Sequence, residues 1–214
     1  MNSRFASLMV CVAGLFSAVV WAYPTPAGVQ GVNEWTFRVT YTQPQQIMFR
    51  VDDSGRMQRY WYVILTVTNE GPFDEVSFYP YAELVTDTFQ TIPAGRNVPQ
   101  MVFETIKLTQ QGNFPFLESL DFANRRIARG EDNTRDFAII WPDFDPKAKE
   151  VSLFISGLSN ETAVVEHPVL KDEQGNPQKI FLRKTLQLKY AVAGDEALRA
   201  HAVMKEIEKN WVMR

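Results

Sequence analysis

"YWYVILTVTNEGPFDEV" (Tyr60–Val76) reads as a strand that runs into a turn, and it poses the question on which the fold depends. Strand side chains alternate between two faces, so Tyr60, Tyr62, Ile64 and Thr66 lie on one side and Trp61, Val63, Leu65 and Val67 on the other. A strand with one wet face is polar at every second residue. Here both faces are apolar or aromatic, so something must cover each. Trp61 and its phase are the drier set and are expected in the main core. The tyrosine set calls for a second cover.

Strand patterns continue on both sides of this stretch. Trp35, Phe37, Val39 and Tyr41 alternate with Thr36, Arg38, Thr40 and Thr42. Ile47, Phe49 and Val51 precede the turn residues "DDSG" (Asp52–Gly55), so residues 47–69 are expected to form a hairpin. In "EVSFYPYAELVT", Val76, Phe78, Ala82 and Leu84 share a phase, and Pro80 predicts an edge strand or a bulge because it cannot donate to a ladder. "RDFAIIW", "EVSLFISGL", "ETAVVEHPVL" and "KIFLRKTLQLKYAV" supply further strands. In the last of these Lys184 interrupts the apolar row Ile180, Leu182, Leu186, Leu188, Tyr190 and Val192, and a β-bulge near Arg183/Lys184 is expected to relieve it. Two stretches read differently. Pro99 followed by Met101/Val102, Ile106 and Leu108, with Gly112 as a stop, predicts a short helix, and residues 114–122 add another turn. Ala200, Met204, Ile207 and Trp211 are at helical spacing and predict a C-terminal helix. Short antiparallel strands with few helices predict a mainly β sandwich or barrel.

The first 22 residues are set apart. Met1–Arg4 carries one positive charge, Phe5–Ala22 carries none, and Val20 and Ala22 precede Tyr23-Pro24 with small side chains. This is the pattern of a cleaved export signal. The expected organisation is a signal over 1–22, an extended lead-in over 23–31, a β-sandwich domain over 32–194 with a helical insertion at about 97–122, and a helical tail over 195–214. Export places the protein in the periplasm or outside the cell, with no membrane span after cleavage. Cys11 is the only cysteine and falls within the signal, so the mature chain has no disulfide, thiolate metal site or cysteine nucleophile. A net charge of −3 gives no electrostatic case for nucleic acid.

"WYVILTVTNEG", "GEDNTRDFAIIW" and "KEVSLFISGL" resemble the immunoglobulin-like sandwiches of exported bacterial proteins. "GLSNET", "LRKTLQLKY" and the terminal "WVMR" resemble small uncharacterised secreted proteins of planctomycete-type bacteria. The resemblance implies an immunoglobulin-like antiparallel β-sandwich and carries no activity, catalytic residue or cofactor with it.

Catalytic residue types are sparse. Ser159 lacks the second glycine of a nucleophile elbow, because Asn160 and Glu161 follow it. His167 and His201 are far apart and read as surface residues, too few for zinc. Asp143/Asp145, Glu118/Asp121 and Glu131/Asp132 are sequence neighbours rather than a pair facing across a cleft. "DDSG", "DFD" and "DEQGN" could offer calcium oxygens, but ordinary turn chemistry explains each. Asn160-Glu161-Thr162 matches a glycosylation sequon by pattern alone. No catalytic site, metal or cofactor is expected. The candidate binding face is tyrosine-rich, made of Tyr60, Tyr62, Tyr79 and Tyr81 if these neighbour one another, because tyrosine offers area plus a hydroxyl. The expected role is non-enzymatic, in protein interaction or envelope structure, with an envelope protein or a polysaccharide as the partner. The alternatives are a carbohydrate-binding module on the tyrosine face and, more remotely, a hydrolase whose carboxylates converge in three dimensions.

Overall fold

A computed structural model describes residues 27–28, 33–50, 55–120, 125–194 and 201–214. The expected signal and most of the lead-in and "DDSG" turn lie outside the described residues. In chain order the strands are β1 (Ala27–Gly28), β2 (Arg38–Tyr41), β3 (Gln45–Arg50), β4 (Met57–Thr68), β5 (Glu75–Phe78), β6 (Tyr81–Thr86) and β7 (Thr91–Pro93). The helix α1 (Gln100–Gln110) follows, then β8 (Glu118–Ser119), β9 (Arg125–Ala128), β10 (Arg135–Pro142), β11 (Glu150–Ser156), β12 (Thr162–Lys171), β13 (Pro177–Val192) and β14 (Met204–Met213). The chain is mainly β, in three sheets whose strand pairs are antiparallel apart from β8 and β10.

β4 is the centre of one sheet. β2 and β3 pair along one of its edges and β10 along the other. The expected hairpin of residues 47–69 is present as β3 and β4, with Arg50 opposite Met57. Trp61, Val63, Leu65 and Val67 join one buried cluster with Leu84 of β6, Leu153 of β11 and Leu188 of β13, so the two larger sheets share a core. The opposite face of β4 is also buried. Tyr60, Tyr62 and Ile64 pack with Val102, Phe103 and Ile106 of α1 and with Leu117. The helix is therefore the second cover. Tyr62 donates its hydroxyl to Gln45 Oε1 at 2.8 Å and accepts from Gln110 Nε2 at 2.9 Å, which pins the end of α1 to the sheet. Trp61 buries its ring and donates Nε1 to Asp143 Oδ1 at 2.9 Å.

Within the insertion, Phe103 is buried and Phe114 half-buried, whereas Met101 and Phe116 are exposed. Residues 114–120 form turns and the short strand β8 rather than the expected further helical turn.

The second sheet runs β1-β12-β13-β11-β6-β7, with β14 also on β13. Pro80 splits its region. β5 pairs only with β9 in a small sheet of its own, and β6 joins the large one. Val76, Phe78, Ala82 and Leu84 stay in one phase and are all buried.

The C-terminal helix expected over 195–214 is corrected where it is described: Met204–Met213 is a strand. β13 exposes the backbone groups of Lys184–Val192 on one edge, and β14 pairs with them along that length. The register shifts between Lys189 and Tyr190, leaving Ile207 as an extra residue. That bulge brings Met204 opposite Val192 and Trp211 opposite Leu186, so two residues seven apart share a face. A bulged strand thus imitates the spacing of a helix. The strand also reaches the other sheet. Glu206 accepts a hydrogen bond from Tyr41, and this contact, after burial, pushes the Tyr41 phenol up to about 12. The bulge expected at Arg183/Lys184 is likewise corrected. Pairing with β12 and β14 is regular there. Lys184 stays in the apolar row because Glu161 pairs with its ammonium, which also lies 5.3 Å from the Trp211 ring centroid.

Because both faces of β4 are dry, Trp61→Ala and Tyr62→Ala should both destabilise the fold severely. The expected loss is about 3–5 kcal/mol for Trp61, with Tyr62 in the same class. Denaturant unfolding of the two variants checks this. A Tyr62 effect below ~1 kcal/mol would mean that α1 does not seal that face.

Candidate functional site

The structure does not bring the four tyrosines together. Tyr60 and Tyr62 are buried beneath α1, while Tyr79 and Tyr81 are 61% and 52% exposed beside the other sheet. The combined face is therefore corrected to its second half. β4 and β6 belong to different sheets, and α1 takes the face of β4 to which Tyr60 and Tyr62 belong.

Tyr81 stands on the outward side of β6, and its cross-strand neighbour on β11 is Ser156. Next along, Glu83 faces Phe154, and Phe154 faces Gln187 of β13. Arg214 lies across this row. Its guanidinium carbon is 4.1 Å from the Phe154 ring centroid, and Nη2 pairs with Glu83 Oε1. Tyr81 donates its hydroxyl to Glu83 Oε2 at 3.0 Å. Partial burial, and then this bond, raise the Tyr81 phenol above its ordinary range. Glu83 thus holds an arginine over one ring and hydrogen-bonds the hydroxyl of another. A groove of about 160 Å³ follows, lined by Tyr81, Phe154, Thr185, Arg183 and Arg214.

Arg183 also lines a second groove, of about 270 Å³, with Trp35, Ser77, Tyr79, Asn160 and Thr162. Arg183 is exposed, and among the described residues no carboxylate pairs with it. Neighbouring charges are engaged elsewhere. Glu161 binds Lys184, whose ammonium, aided by the Thr36 hydroxyl and against the opposing effect of burial, holds the Glu161 carboxyl below its usual range.

The wall between the grooves depends on Gly157. After β11 the chain makes an excursion before resuming as β12, and Gly157 takes a φ of 81° there. A Cβ at this point would sit 2.2 Å from the Tyr79 carbonyl oxygen. Only glycine lets the excursion lie directly on the backbone that carries Tyr79.

The other residues singled out by chemistry have structural partners. Ser159 donates to the Trp35 carbonyl at 3.0 Å and accepts from the Glu161 amide, and Thr36 Oγ1 is 2.9 Å away. His167 Nδ1 accepts backbone bonds from Val169 and Leu170 at 3.1 and 2.9 Å. His201 is exposed. Asp143 pairs with Arg59 and accepts from Trp61, and Asp145 accepts the Lys147 amide at 2.9 Å. Glu118 pairs with Arg135 and Glu131 with Arg38, whereas Asp121 lies outside the described residues. Asp172 closes the "DEQGN" turn by accepting from the Gln174 and Asn176 amides. Asn160 accepts from the Trp35 amide at 2.7 Å and donates to the Asn33 carbonyl. Among the described residues, no three His, Cys, Asp or Glu side chains cluster as metal ligands.

Arg183, Arg214 and Phe154 were not singled out in the sequence. The signal lay in the outward phase of β11 and β13, whose polar run is broken by Phe154 and Phe181.

Gly157→Ala should destabilise the fold by more than about 2 kcal/mol, combining positive-φ strain with a backbone clash. Thermal or denaturant melts check this; a loss within ~0.5 kcal/mol would show that the excursion can lift off Tyr79. Neither a family model, nor a curated protein, nor a solved structure matches the chain.

Proposed function

We propose that the chain is an exported, non-enzymatic interaction domain that binds a polypeptide partner through the outer face of its larger sheet. The observation that carries this is the surface of exposed Tyr79, Tyr81 and Arg214 around half-buried Phe154, with an Arg183 guanidinium that no carboxylate pairs with among the described residues. Tyrosine and arginine dominate the energetics of protein interfaces, because each combines large contact area with directional hydrogen bonding. An arginine already held over a ring by an ion pair loses little side-chain freedom when a partner docks. The immunoglobulin-like layering and the likeness to small secreted bacterial proteins belong to the same proposal. The non-enzymatic part is supported by Ser159 and the Asp143/Asp145 pair, whose polar atoms are taken up by local backbone and side-chain bonds.

A carbohydrate ligand is the second reading. The groove of Trp35 and Tyr79 favours it, because rings stand beside the hydroxyls of Ser77 and Thr162 and the amide of Asn160.

Immobilised wild-type protein should retain a polypeptide from extracts of the source cells that a Tyr79→Ala/Tyr81→Ala double variant does not. Both side chains are exposed, so the variant's melting temperature should stay within a few degrees of wild type. Retention of polysaccharide in place of protein would transfer the site to the second reading, and equal retention by both proteins would remove the site altogether.

Export is tested separately. The intact mass of protein recovered outside the cytoplasm should correspond to a start at Tyr23. A full-length chain held in the membrane fraction would overturn the cleavage.

A further inference from the structure

β12 and the first half of β13 extend past the shared core as a two-stranded arm. Residues 171–181 are all exposed, and the arm shows Val169, Leu170 and Phe181 to solvent at 78%, 53% and 69%. The two edges of β13 differ along this length. On one side Pro177–Arg183 pairs with β12. On the other side β14 pairs with Lys184–Val192, and the last bonds are the reciprocal ones between Arg183 and Arg214, at 2.8 and 3.1 Å. Lys184 donates its amide to the Glu161 carbonyl at 3.0 Å, so the even residues of β13 bond toward β12. The odd residues therefore bond to the other side. There, among the described residues, no strand lies beside Lys179 and Phe181, whose N–H and C=O groups project from an open edge.

We propose that this edge of β13 is a strand-addition site for an extended, acidic segment of the partner polypeptide. The inference rests on the protein-partner reading above and names the partner's chemistry. An added strand would lie end to end with β14 and gain main-chain hydrogen bonds from Lys179 and Phe181. Lys179, Phe181 and Arg183 are of one phase, so their side chains share the outer face that carries the grooves. A residue opposite Phe181 stands diagonal to both Lys179 and Arg183, within reach of long side chains. An acid at that position meets the positive charge of Arg183 and of Lys179, the latter already faced by Glu166 of β12. Lysine on an edge deters pairing with copies of the same basic strand. An acidic strand turns that deterrent into attraction, which is the charge complementarity that selects this occupant over a second copy of the chain.

The test uses three fluorescein-labelled heptapeptides titrated by anisotropy against the purified chain. One alternates Glu and Val, one alternates Lys and Val, and one repeats the Glu/Val sequence with backbone N-methyl groups that block edge pairing. The Glu/Val peptide alone should bind. Lys179→Gln/Arg183→Gln should weaken it about tenfold or more through loss of charge-assisted contacts, with an unchanged melt as control. Phe181→Pro should also weaken it, because it deletes an open-edge N–H and leaves the even-numbered bonds to β12 intact. Binding of the Lys/Val or N-methylated peptide as tightly as the Glu/Val one would overturn the proposal, and so would no binding by any of the three. A concentration-dependent dimer abolished by Phe181→Pro would give the edge to a second copy and likewise overturn it. If the peptides fail while partner retention still depends on Tyr79 and Tyr81, strand addition falls and the binding surface stands. If both fail, both readings fall.

Discussion

A strand that is apolar on both faces can exist in water only between two covers, and β4 imposes that condition on this molecule. Trp61, Val63, Leu65 and Val67 require a second sheet; Tyr60, Tyr62 and Ile64 require another element on the reverse side. The order of layers follows: large sheet, β4 sheet, helix. α1 is too short to be stable alone and is held by the face it buries. Tyr62 explains why that face is aromatic rather than aliphatic. Its ring fills the interface, and its hydroxyl reaches the rim to meet Gln45 and Gln110.

The same condition sorts the surfaces. With both sides of the β4 sheet engaged, the broad open sheet surface is the outer face of β6, β11 and β13. The residues there follow from strand phase. Tyr81, Phe154 and Arg183 point outward because Ala82, Ile155 and Leu186 point inward. Charge is not uniform along this face. Glu83 neutralises Arg214 and Glu161 neutralises Lys184, so Arg183 carries the local positive field with little opposition.

Most strands were legible because alternation is a local property. Val76, Phe78, Ala82 and Leu84 hold one phase even across Pro80, where the chain changes sheets. The helix was legible from Pro99 and its apolar spacing. Two features were hidden by pairing, which no single segment encodes. Met204 and Trp211 carry a seven-residue spacing that a helix and a bulged strand produce equally, and only the open edge of β13 decides between them. Lys184 looked like a fault in its row because its partner, Glu161, lies 23 residues away, just before the neighbouring strand. The tyrosine face was half legible: strand phase separated Tyr60 and Tyr62 from Trp61, but nothing local put Tyr81 on a different sheet with Tyr79 just before it.

β13 runs unbroken for 16 residues, about 50 Å at strand rise, from the tip of the arm into the centre of the core. Its hydrogen bonds to β11, β12 and β14 all lie across its length. Tension drawn along the arm therefore loads those rows together, in shear, rather than opening them one at a time. The arm and the core behave as a single mechanical rod. A load taken up at the tip reaches Leu186, Leu188 and Tyr190 without passing through a loop.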